Sequence, residues 1–416
     1  MTKTMKSVLG VFCLGLFGLT IAPNAVYAHG EKSLEPFIRM RTIQWYDVRW
    51  SQDKQKVNDE VVITGKFHVA EDWPRAVPKP DATYLNVTSP GPVFIRTERY
   101  LNGQATAGSA ALKLGGDYDF KIVLKARLPG RYHLHPFFNL HDAGPVMGPG
   151  QWIEVTGVPA AFTNPVKTLN GDVIDMETYG LANGIGWHAF WFALAAAWLL
   201  WWVRRPLFIP RYKMLQSGQG DALVTPLDRA IAAAILVVVP LVVFGAQAMT
   251  DSQYLNTIPL QTALDQIEPL APVINTGLVQ VKVQRAEYNV LARSMTIVTQ
   301  IRNASDQPVQ IREFASANVR FINLASDLAN LDANQGIDDD TLVARQGLSI
   351  DSPAPIKAGE SRTVRLTGTD ALWATQRLDG LIRDPDSRLG GLLFLIDATG
   401  NRHIASVSTS VIPKFD

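Results

Sequence analysis

The stretch "RYHLHPFF" places His133 and His135 two residues apart in a segment that reads as a β-strand. Side chains alternate between the faces of a strand, so this spacing puts both imidazoles on one face, where they can share a metal ion. A merely polar strand face has the same appearance, and the pair alone leaves both readings open. The stretch "VYAHGEKS", residues 26–33, bears on the choice. Lys3 and Lys6 form a basic start, residues 7–21 an apolar run, and Val26 and Ala28 fit the small-residue rule of a signal-peptidase site. Cleavage after Ala28 makes His29 the first residue of the mature chain; an uncleaved anchor is the alternative. An N-terminal histidine offers its α-amine and a ring nitrogen to one metal as a chelate. With His133 and His135 it would complete a set of four nitrogen donors from three residues, surroundings that suit copper(II).

The remaining histidines are His68, His141, His188 and His403. His68, in "GKFHVAEDW", sits on another expected strand, either as a further metal ligand or as a satisfied strand residue. His141 falls in a Gly/Pro loop and is expected to be exposed. His188 begins an apolar run beside Trp187 and reads as interfacial. His403 stands alone in the last third of the chain, which is therefore expected to hold no metal site.

The single cysteine, Cys13, lies within the signal region, so the mature chain is expected to have none. That excludes disulfides, iron–sulfur clusters, thiolate zinc sites and copper sites needing a cysteine sulfur. A formal net charge of +1 gives no reason to expect nucleic acid as a partner. Hydrophobic residues make up 47% and charged ones 19%, which leaves room for membrane segments. No nucleotide-binding loop, dinucleotide fingerprint or serine-triad motif stands out.

Three blocks must position these residues. The first, 29–170, alternates polar and apolar residues in "EVVITGKFHV", "DFKIVLKARL" and "QWIEVTGV", with Gly/Pro turns between, the pattern of a β-sandwich or barrel. The second holds two apolar runs, 185–203 and 230–249, each near the ~20 residues that cross a bilayer. Between them, residues 204–229 carry five cations against two carboxylates and read as a short cytoplasmic loop, which places both large blocks on the periplasmic side. Pro240 is expected to kink the second run. A linker over 250–275 leads to the third block, 276–416, again patterned as strands. Residues 325–340 read as a loop or short helix.

Taken together, "AHGEKS", "MRTIQWYDVRWS", "GKFHVAEDWPRAVPKPD", "YHLHPFFNLHDAGPVMGPG", "WWVRRPLFIPR" and "DPDSRLGGLLFLIDATGNR" resemble the B subunit of the copper membrane monooxygenases, the family of particulate methane and ammonia monooxygenases. The resemblance implies two periplasmic cupredoxin-like β domains joined by a transmembrane helical hairpin, the second domain without metal. It implies a copper site at His29, His133 and His135. Some methane-oxidising members carry a further histidine pair; His68 matches one of the two, but Gln44 stands at the other, so this second site is expected to be weak at best. It implies A- and C-type membrane subunits as partners in a trimer of three-subunit protomers, and a quinol or other electron donor. The expected residence is a bacterial inner or intracytoplasmic membrane. The catalytic residues stay unassigned, because the family's membrane subunits also hold candidates. Gln44 and the stretches 68–81, 101–120 and 175–181 look more like the ammonia branch than the methane branch. A membrane-anchored copper carrier and a secreted polysaccharide monooxygenase are the competing functions; the paired apolar runs and the large third block suit neither.

Overall fold

Strict alternation along Glu60–Val69 buries every second side chain until Phe67, His68 and Val69, which are buried in succession. Such a break means that both faces of the strand are covered at that end. In the computed structural model, which describes residues 35–168, 171–253, 264–323, 325 and 342–415, this strand lies second in a five-stranded sheet. The order is Ile43–Trp50, Glu60–Val69, Asp117–Ala126, Phe94–Leu101, Gln104–Ala105. A second five-stranded sheet runs Gly144–Met147, Pro136–Leu140, Thr83–Val87, Ser109–Ala111, Leu264–Gln266. Leu264–Gln266, in the segment read as linker, thus adds a parallel strand to the sheet's end. A third sheet joins Lys54–Lys56, Gln151–Thr156 and Gly130–Leu134. Trp45, Phe67, Phe120 and Phe138 fill the space between sheets, with ring centroids 4.8–6.4 Å apart.

The last block closes into an eight-stranded barrel. Its first strand, Val279–Asn289, pairs with Ser294–Asn303 on one side and, in parallel, with the end of Arg402–Lys414 on the other. Closure removes free strand edges, and the interior is packed with Phe314, Phe321, Leu393 and Trp373, the last stacked on Tyr288 at 5.5 Å. Within one compact unit the barrel and the first β region are fused rather than tethered. Met40 inserts into the barrel core, and its carbonyl comes so close to Gly390 that a Cβ there would sit 2.6 Å from it. Arg41, fully buried, donates to Asp386 at 2.7 Å and to Asp72 at 3.4 Å, and Asp72 also accepts from Arg388 at 2.6 Å.

A second unit, described by itself, holds two long helices, Leu181–Val203 and Pro226–Gln253. Both are long and apolar enough to cross a membrane, and no residue of their most apolar 18-residue windows is buried within the chain. Pro240 lies inside the second. A short helix, Ile209–Gln216, occupies part of the segment read as a loop. The expectation of a mainly β protein with two apolar helices is borne out; of the stretch 325–340 read as loop or short helix, residues 326–340 lie outside the described residues.

Candidate metal centre

Both histidines of the His-x-His pair sit where the chain changes sheets. His133 belongs to Gly130–Leu134, and His135 falls between that strand and Pro136–Leu140. Pro136 has no N–H to extend the first ladder, so the backbone is free to change partners there. His135 is then held by Thr88: its N–H donates to the Thr88 hydroxyl at 3.0 Å, and its carbonyl accepts the Thr88 N–H at 2.9 Å.

The two rings meet. His135 Nε2 lies 3.2 Å from His133 Nδ1, with ring centroids 4.4 Å apart and planes at 76°. His135 Nδ1 is 2.9 Å from the Gly148 carbonyl, which can only accept. Nδ1 therefore carries a proton, and a neutral ring presents the lone pair of Nε2 toward His133. A backbone carbonyl fixing the tautomer in this way is the usual outer support of a metal-ligating histidine. Two metal–nitrogen bonds of about 2.0 Å span 3.2 Å at an opening a little wider than a right angle, as neighbouring ligands of one ion require. Burial lowers the pKa of His135, with the His133 and Arg39 charges acting in the same direction and the Gly148 bond opposing them. A neutral ring is the form a metal needs.

Three residues that sequence reasoning passed over shape this centre. Gly150 packs flat on His135: a Cβ there would lie 2.4 Å from Cε1. Gly148 supplies the carbonyl, and a Cβ on it would press on Pro136 and Trp45 at 3.0 and 3.1 Å. Trp152, the cross-strand partner of His133, stacks on it at 4.8 Å and 24°, with the Arg131 guanidinium 4.6 Å from the indole. "DAGPVMGPG" reads as a turn and "QWIEVTGV" as a strand; only the register of Gln151–Thr156 against Gly130–Leu134 reveals what Trp152 does for His133. Among the described residues no third histidine, cysteine or carboxylate joins the pair. His29 lies outside the described residues.

The second sequence candidate is built differently. Gln44 and His68 face each other across Ile43–Trp50 and Glu60–Val69. Both are buried, His68 at 2% exposure. His68 Nδ1 is 2.7 Å from Asp117 Oδ1, while Asp117 Oδ2 accepts the N–H groups of Val273 and Ile274 at 2.8 and 3.0 Å. Gln44 donates Nε2 to the Met40 carbonyl at 2.7 Å. That leaves His68 Nε2 and Gln44 Oε1 buried without hydrogen-bond partners. One imidazole and one amide oxygen are a poor donor set for copper, and here the residues do not fit a metal. They act as a clasp, fastening the chain ahead of the barrel to the first sheet. Burial alone would raise the pKa of Asp117, but the His68 and backbone bonds outweigh it and hold the carboxyl below its ordinary value.

Of the other histidines, His141 is exposed beside Asp142, His188 bonds the Gly184 carbonyl at 2.7 Å within its helix, and His403 lies 3.4 Å from Asp397.

A family model describing the B subunit protein of monooxygenases matches residues 30–415. The chain is 45% identical over 420 residues to the particulate methane monooxygenase alpha subunit of Methylococcus capsulatus (strain Bath), covering 99% of this chain and 100% of that one. Among solved structures, the cupredoxin domain of amoB from Nitrosocaldus yellowstonii aligns over 29% of this chain and 90% of its own length, at 19% identity and a TM-score of 0.24. The adhesin InvE of Yersinia pseudotuberculosis aligns over 88% of this chain and 60% of its own, at 8% identity and a TM-score of 0.17. Both superpositions are loose, and the assignment rests on the sequence matches: the chain belongs to the family of monooxygenase B subunits.

Proposed function

We propose that this chain binds copper through His29, His133 and His135 as the B subunit of a membrane-bound monooxygenase complex. The observation that carries this is the 3.2 Å approach of His135 Nε2 to His133 Nδ1, with the opposite nitrogen of His135 tied to the Gly148 carbonyl. The α-amine and ring of His29 would complete the nitrogen set after cleavage behind Ala28. Copper, when bound, supplies redox chemistry with O2. The chain's own residues favour the neutral form of His135, fix its tautomer through Gly148 and hold the His133 plane on Trp152.

Both β regions are assigned to the periplasmic side of a bacterial inner or intracytoplasmic membrane, with A- and C-type subunits completing the complex and a quinol or other donor supplying electrons. The reaction is assigned as oxidation of ammonia to hydroxylamine: one oxygen atom of O2 enters the substrate and the other leaves as water, with two electrons and two protons consumed. Gln44 in place of a second histidine supports the ammonia branch. Methane oxidation to methanol is the second reading, favoured by the 45% identity to a protein of the particulate methane monooxygenase.

Metal analysis of the purified complex tests the site. His133→Ala/His135→Ala should lose the copper bound to this chain, and unchanged copper refutes the assignment. One extra residue ahead of His29 should weaken binding with the fold intact. Oxygen uptake by membranes given ammonia or methane separates the two substrates.

A further inference from the structure

At the loop end of the helical hairpin one buried carboxylate gathers both helix termini. Asp228 accepts from Trp201 Nε1 and Arg205 Nη2, each at 2.8 Å, and from the Thr225 N–H and hydroxyl at 2.7 and 2.8 Å. The Thr225 hydroxyl in turn accepts the Asp228 N–H at 3.3 Å, a reciprocal cap on the second long helix. The Arg211 guanidinium lies 5.7 Å from the Trp202 ring, which brings the short helix Ile209–Gln216 back onto the end of the first long helix. Arg204 adjoins Arg205 and Arg229 adjoins Asp228 in the chain, so both flank this ion pair, and Lys213 is on the short helix whose Arg211 lies over Trp202.

The charge here is unbalanced. Asp228 is spent on Arg205, and among the described residues Arg204, Lys213 and Arg229 form no ion pair. All three are exposed, as is Asp221, the only other carboxylate between residues 204 and 229. Beside these cations Phe208 is 83% and Ile209 69% exposed, with Tyr212 and Leu215 also uncovered. Nucleic acid would explain the charge but not the apolar side chains. Unpaired cations bordering uncovered aromatic and aliphatic groups, at the end of two membrane-length helices, match phosphate headgroups above acyl chains.

We propose that this end of the hairpin binds anionic phospholipids, with Arg204, Lys213 and Arg229 on the headgroup phosphates and Phe208, Ile209 and Tyr212 against the upper acyl chain. The site is independent of the copper centre.

The test uses the intact complex purified from membranes, with phosphatidylglycerol and phosphatidylcholine as probes and native mass spectrometry to count bound lipid. Each cation near an anionic surface contributes on the order of fivefold, so Arg204→Gln/Lys213→Gln/Arg229→Gln should weaken phosphatidylglycerol binding at least tenfold and leave phosphatidylcholine unchanged. Arg204→Lys/Lys213→Arg/Arg229→Lys should retain it, and Lys79→Gln, in the β unit, should be silent. In the native complex the preference for phosphatidylglycerol should shrink as salt is raised. The idea is overturned if the native complex shows no preference, if the preference ignores salt, or if the triple glutamine variant binds phosphatidylglycerol normally. Loss of another subunit with lipid binding intact would instead make this face a protein interface.

Discussion

Two histidine stations occupy the same β region, and they differ in what their nitrogens are for. At His133 and His135 the rings lie half-buried at a sheet crossing, and one outer nitrogen is anchored on a carbonyl so that the inner one turns toward its neighbour. At His68 the ring is sealed inside, and its anchored nitrogen meets a carboxylate that also holds two backbone N–H groups from a distant segment. The lesson is that an imidazole's partner chain, not its presence in a strand, separates a ligand from a fastener. The first station turns an Nε2 lone pair toward a second imidazole, as the proposed copper site needs; the second commits its Nδ1 to a carboxylate that fastens the fold.

Deletion should separate the stations most sharply. His133→Ala/His135→Ala is expected to lower copper(II) affinity about a thousandfold or more, since removing even an outer support typically costs ten- to a hundredfold. His68→Ala should leave copper affinity at the first station unchanged and lower the unfolding midpoint instead. Competition titrations and urea unfolding on the same pair of variants decide it; copper loss from His68→Ala would erase the distinction.

Asp117→Ala comes next. It strands a buried histidine and two backbone donors, and losing one member of such a buried network costs about 3 kcal/mol or more. Asp117→Asn, which retains a carbonyl acceptor, should cost less. A midpoint shift no larger for alanine than for asparagine would show that the clasp carries little.

Acid should act on the stations in separate windows. Both groups have folded pKa values below their ordinary ones, so in each case the unfolded chain binds protons first and stability falls as pH falls. For metal-free His135 the loss begins once pH drops below about 6.5. For Asp117 the contribution is complete above the ordinary carboxylate value of 3.8 and is lost only as pH falls through the lower folded value. Unfolding midpoints against pH should therefore show an upper step removed by His135→Gln and a lower one removed by Asp117→Asn.

How much of this is legible in the sequence follows the range of the interactions. Alternation along Glu60–Val69 and the two-residue spacing of His133 and His135 are local, and they give the strands and the pair directly. The apolar runs give the hairpin for the same reason. What stays hidden comes through register and closure: Trp152 reaches His133 only because Gln151–Thr156 pairs with Gly130–Leu134, and Asp117 meets Val273 and Ile274 across more than 150 residues. His68 can be flagged as a histidine on a strand but not as half of a clasp. Even the cation-rich segment displays its charge and not its short helix, because Phe208 supplies no capping side chain and Pro210 in the first turn is its one start signal.

The smaller expected effects ask whether one station can be made to resemble the other. Trp152→Leu removes the plane on which His133 rests while sparing both donors, and should weaken copper binding about tenfold, with Trp152→Phe nearly neutral. Gln44→His is the subtler change. His68 already has what a ligand needs from behind, a carboxylate fixing Nδ1 and a buried Nε2 with no partner, and Gln44 is its register neighbour. A second imidazole there would replace the amide oxygen and, with His68, make two nitrogen donors. The expected result is one additional copper per chain, held more weakly than at the first station because two imidazoles there lack the chelating α-amine proposed for His29. Copper stoichiometry by titration, with the first station intact, is the measurement. If the variant gains no copper, the clasp fixes His68 too firmly to serve a metal, and the division between ligand and fastener is built into the backbone rather than into residue 44.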